Sequence, residues 1–113
     1  MEYGLQFIGM LDITLNLDEV VTQLRKALRG CDNFRPQSFY WSGNLIQVDR
    51  DDDHDPSTKA GCDGYLYYPY EIGVCPMTDV DVDHQVTVAR KVKGVLEALK
   101  GRAEICAAFE ALL

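Results

Sequence analysis

Between residues 5 and 15 apolar side chains fall on alternate positions. Leu5, Phe7, Leu11, Ile13 and Leu15 share one side of an extended chain, and Gln6, Asp12 and Thr14 fall on the other. Successive side chains of a strand point to opposite faces, so this spacing predicts a strand over 3–15 with those five residues turned to a core. Gly9 sits among them and marks a bulge or a close backbone approach. The period then lengthens. Val20, Val21, Leu24, Ala27 and Leu28 lie on one helical face. Asn16 stands three residues before Glu19, the spacing of a capping box, and Gly30 is a natural stop. Period two returns at Phe39-Tyr40-Trp41 and Leu45-Ile46-Gln47-Val48, separated by Ser42-Gly43-Asn44. That tripeptide either turns the chain in a tight hairpin or kinks one long strand.

Residues 49–64 read as a polar loop. From 65 to 75 the alternation resumes, with Leu66, Tyr68, Tyr70, Ile72 and Val74 on one face and Tyr65, Tyr67, Pro69, Glu71 and Gly73 on the other. Pro69 cannot donate to a ladder and fits only an edge or a bulge, and Pro76 closes the strand. A helix beginning between Thr78 and Asp83 buries Val88, Val92, Val95, Leu96 and Leu99, with Arg90, Lys93, Glu97 and Lys100 opposite. Gly94 falls on its polar half, where glycine is about 1 kcal/mol less favourable than alanine. Gly101 ends the helix, and residues 104–109 form a last short strand.

The order β-α-β-β-α-β is that of the ferredoxin-like split βαβ, an α+β fold. It predicts four main strands in an antiparallel sheet, with two helices on one face, in a single domain over 1–113. The core should include Leu11, Ile13, Leu24, Leu28, Ile72, Val92 and Leu96.

Charge narrows the partners. The chain has a net charge of −7, and the stretch from Asp49 to Asp83 alone carries −8. Nucleic-acid binders show the opposite sign, and no apolar run spans a membrane, so neither partner is expected. Met1-Glu2-Tyr3-Gly4 lacks the basic region of a signal peptide, which points to the cytoplasm. There the four cysteines, Cys31, Cys62, Cys75 and Cys106, are expected to be reduced, with Cys106 buried. No pair has C-x-x-C spacing, so no zinc ribbon or redox motif is present.

Asp51-Asp52-Asp53-His54-Asp55 is dense in oxygen donors, but the calcium-loop template fails at Pro56 and Cys62, and no metal or cofactor is expected. His54 and His84 each neighbour aspartates without a recognisable nucleophile, so no catalytic residue is assigned. Asp51, Asp52, Asp53 and Asp55, with the aromatic Trp41, Tyr65 and Tyr67, are the candidate partner-binding residues, because acids steer basic proteins and Trp and Tyr anchor interfaces.

The order Trp41-Ser42-Gly43-Asn44-Leu45-Ile46-Gln47-Val48, acidic loop, Leu66-Tyr67-Tyr68-Pro69-Tyr70 resembles small bacterial proteins. Some of these are grouped with immunity proteins of polymorphic toxin systems, and others travel on mobile gene cassettes. Ala107-Ala108-Phe109-Glu110 is similar to their A-A-C-D-F-E ending without the Cys-Asp. The resemblance implies a single-domain, non-enzymatic cytoplasmic inhibitor that neutralises a basic toxin by direct binding. The alternative is a ferredoxin-like domain holding a small ligand between the open sheet face and the loop at 49–64. A small enzyme using His54 or His84 is a third reading.

Overall fold

Asn16 starts the first helix as its spacing predicts. In the computed structural model, which describes residues 5–50 and 68–113, its Oδ1 accepts from the Glu19 N–H at 2.9 Å and its Nδ2 donates to Glu19 Oε1 at 3.1 Å. This helix, α1 (Leu17–Ala27), follows strand β1 (Phe7–Asp12). The chain continues through β2 (Asp32–Arg35), β3 (Ser38–Trp41), β4 (Asn44–Arg50), β5 (Tyr70–Pro76), α2 (Val82–Ala98) and β6 (Arg102–Ala107), then a 3₁₀ turn at Glu110–Leu112. Asp81 caps α2, accepting from the His84 N–H at 2.8 Å. No helix of the described residues is long and apolar enough to cross a membrane.

The fold is α+β, with a six-stranded sheet in the order β2-β3-β4-β5-β1-β6. Every neighbouring pair is antiparallel. The expected four strands are therefore six. The stretch expected as either a hairpin or one kinked strand is two strands, β3 and β4, and β2 precedes them; spacing gives no sign of β2 because its four residues are all exposed and carry no buried stripe. Ser42 (φ +53°) and Gly43 (φ +77°) make a two-residue turn between Trp41 and Asn44. Positive φ at both central positions matches the right-handed twist of paired strands, so the tripeptide is a hairpin and not a kink. Arg25 ties the outer hairpin to α1. Its Nη2 donates to the carbonyls of Arg35 (2.7 Å), Pro36 (3.3 Å) and Ser38 (3.3 Å), and its guanidinium lies over Phe39.

One face of the sheet packs against both helices. Phe7, Leu11, Phe39, Ile46, Val48, Tyr70, Ile72, Val74 and Ile105 join Val20, Val21, Leu24, Leu28, Val88, Val92 and Leu96 in one cluster. Of the expected core, only Ile13 is half-buried; it lies past the end of β1 and packs on the cluster from outside. Gly9 is a close approach, since a Cβ there would stand 3.3 Å from Leu96 Cδ1. Leu99 is half-buried, while Gln85 is wholly buried on α2. Gln85 and Asn44 exchange two amide hydrogen bonds of 3.0 Å. Gln85 also donates to the Leu5 carbonyl at 2.7 Å, and Asn44 to that of Ser42 at 3.1 Å.

The last strand, expected over 104–109, runs Arg102–Ala107. The strand expected over 65–75 runs Tyr70–Pro76, so Pro69 precedes the ladder and denies it no donor. The left-handed residue after α2 is Lys100 (φ +67°), not Gly101. Gly101 answers a different need: a Cβ there would lie 2.8 Å from the Asp12 carbonyl oxygen.

Candidate binding face

Among the described residues no helix covers the sheet's second face. Register places its residues in rows across the strands. Asp49 stands opposite Glu71 between β4 and β5, Glu71 opposite Met10 between β5 and β1, and Met10 opposite Glu104 between β1 and β6. Three carboxylates thus share one row, although they are far apart in sequence. In the next row Gln47, Gly73, Ile8 and Cys106 are neighbours, and beyond it Leu45 faces Cys75. Neighbouring strands are about 4.8 Å apart, so each row is a continuous strip.

Ile8, Leu45, Gln47, Asp49, Cys75 and Cys106 line a hollow of about 660 Å³ on this face. Gly73, which has no side chain, leaves room at its floor. Ile8 is 37% exposed, and Gln47 Nε2 donates to Asp49 Oδ2 at 3.0 Å. At the far end Arg102 donates to Asp12 at 2.8 Å and lies over the Tyr68 ring. The hydrogen bond to Asp12, then the charge interactions with Tyr68 and Asp12, raise the Arg102 pKa above its ordinary value. The arrangement offers apolar contact beside concentrated negative charge.

Of the expected binding residues, Trp41 alone is among those described. It is half-buried on the helix-side face, and its Nε1 donates to the Arg29 carbonyl at 3.1 Å. Trp41 therefore does not stand on the open face. That hydrogen bond ties β3 to the chain just after α1. Asp51, Asp52, Asp53, Asp55, Tyr65, Tyr67, His54 and Cys62 lie outside the described residues. The charge pattern included Asp49 and Glu71 but left out Glu104. The sequence does carry a sign of this face in Ile8 and Met10, apolar residues on the polar side of the first strand.

Cys106 was expected to be buried and is half-buried, because its side chain points to the open face. Cys31 and Cys75 are free thiols. His84 meets a serine after all: its Nε2 lies 2.8 Å from the Ser42 carbonyl oxygen and 3.2 Å from Ser42 Oγ. A carbonyl only accepts, so Nε2 carries the proton and cannot take one from the hydroxyl in this arrangement. The imidazole clamps the β3–β4 turn to α2. Among the described residues no cluster of His, Cys, Asp and Glu could hold a metal ion.

Comparison of the chain with protein-family models, curated proteins and solved structures finds no match in any of the three.

Proposed function

We propose that this protein is a non-catalytic binding module that holds a basic partner protein on the open face of its sheet. The carboxylate row of Asp49, Glu71 and Glu104 beside the hollow at Ile8, Leu45 and Cys75 carries this reading. A lysine or arginine side chain suits such a surface, because its stem is apolar and its head is charged. The resemblance to immunity proteins makes a cytoplasmic toxin the partner, neutralised by being covered. The order β4-β5-β1-β6, with α1 and α2 as the crossovers, supports a ferredoxin-like split βαβ core. In that reading β2 and β3 are an added hairpin.

The test is co-expression with the product of the adjoining gene. That product should arrest growth alone and be tolerated with this protein. Asp49→Lys with Glu104→Lys should abolish the rescue without lowering the thermal unfolding midpoint by more than a few degrees. An adjoining product that is harmless, or a double variant that rescues fully, ends this reading.

The hollow itself favours a second reading, a small apolar ligand, since ligand cavities run from about 300 to 1,000 Å³. Native mass spectrometry of the purified protein would show a retained small molecule, released by Leu45→Arg.

A further inference from the structure

The helix layer carries the opposite charge from the sheet. A groove of about 570 Å³ runs between α1 and α2 on the far side of the molecule from the open sheet face. Ala27, Gly94, Val95 and Ala98 form its floor. Lys26, Arg90 and Lys91 stand along it, and among the described residues no carboxylate lines it. Lys26, Arg90 and Lys91 are all exposed, in a chain whose net charge is −7. Arg90 is held in place by donating to the Leu112 carbonyl at 2.8 Å.

Gly94 is the second observation. Neither conformation nor crowding demands a glycine there. It is an interior residue of α2 outside the left-handed region, and a Cβ would meet nothing within 4 Å. Glycine at such a position forfeits about 1 kcal/mol relative to alanine. Its one structural consequence is to keep the groove deep and let another backbone approach.

We propose that this groove is a second docking surface, and that its occupant is an acidic amphipathic helix of a partner protein. The occupant's apolar stripe lies on Ala27, Gly94 and Ala98, and its carboxylates reach Lys26, Arg90 and Lys91. This is helix-in-groove recognition, with small residues allowing close approach and charge setting the sign of the partner. The apolar floor argues for a helix over a phosphate backbone, which needs cations and polar donors along its whole track.

The probe is a synthetic helix with leucine at i, i+3, i+4 and i+7 and glutamate elsewhere, titrated by fluorescence anisotropy at low and physiological salt. A lysine version of the same pattern and a single-stranded RNA oligonucleotide are the comparisons. The glutamate helix should bind and weaken with salt. Its affinity should fall at least tenfold in Lys26→Glu/Lys91→Glu and in Gly94→Gln, and stay unchanged in Asp49→Lys. Gly94→Gln should unfold at the same temperature as the wild type or higher. No binding by the glutamate helix, or equal affinity in the groove variants, overturns the proposal. So does RNA bound more tightly through the same residues, or a Gly94→Gln variant with a lowered midpoint. Because the groove and the open face are tested by different variants, failure of one leaves the other standing.

Discussion

Replacing Gln85 with leucine tests how much the buried amide pair contributes. Gln85 and Asn44 are both 0% exposed, so water cannot replace a lost partner. Removing the Gln85 amide orphans Asn44 Oδ1 and withdraws the donor from the Leu5 carbonyl, while Asn44 Nδ2 keeps the Ser42 carbonyl. Each buried group left unsatisfied is unfavourable by about 1–3 kcal/mol. The leucine returns roughly 1 kcal/mol through added apolar burial. The expected loss is about 1–5 kcal/mol, against the roughly 5–15 kcal/mol that holds a domain. Asn44→Val should be destabilising in the same way by orphaning Gln85 Oε1. In the double variant neither amide is left behind, so the two losses should fall short of additive by about 0.5–3 kcal/mol. Equilibrium urea unfolding of all four proteins, with an unchanged m-value, measures this. A Gln85→Leu loss below about 0.5 kcal/mol, or strict additivity in the cycle, would refute the view that the pair locks the β3–β4 turn to α2.

Leu24 is fully buried under the sheet, and Leu24→Ala should lose about 2–5 kcal/mol in the same assay. Gly101→Ala drives a methyl to within 2.8 Å of the Asp12 carbonyl oxygen and 2.9 Å of Leu11, so a loss of about 1–3 kcal/mol is expected where Gly94→Ala gains about 1. Lys100→Gly relieves a left-handed residue and should raise the unfolding midpoint; a lowered midpoint would show that Lys100 is held there by something other than strain. Changing Asp51, Asp52, Asp53 and Asp55 to asparagine should slow association with a basic partner at low salt and leave dissociation unchanged, as read by stopped-flow binding. Association at the wild-type rate would remove the loop from the interface.

Both helices were legible from spacing alone, because a helix is made of near neighbours. Asn16, Val20, Val21, Leu24 and Leu28 act within about two turns of one another, and their periodicity marks the buried face whatever lies beneath it. The alternation of Tyr70, Ile72 and Val74 is equally local. What escaped depends on partners far along the chain. Gln85 reads as an exposed polar residue until Asn44 and Leu5 are brought beside it. The bond from Trp41 to the Arg29 carbonyl likewise joins residues twelve apart that no local spacing pairs. Strand β2 has no buried face of its own, and its pairing with β3 is set by a two-residue connection and by Arg25 reaching across from α1. The acidic row needs four strands, β4, β5, β1 and β6, in register before Asp49, Glu71 and Glu104 become one strip. Local pattern records which side of an element seeks burial, because that preference belongs to each side chain. Which polar groups meet across the sheet is a property of register and packing, and it exists only once the chain has closed on itself.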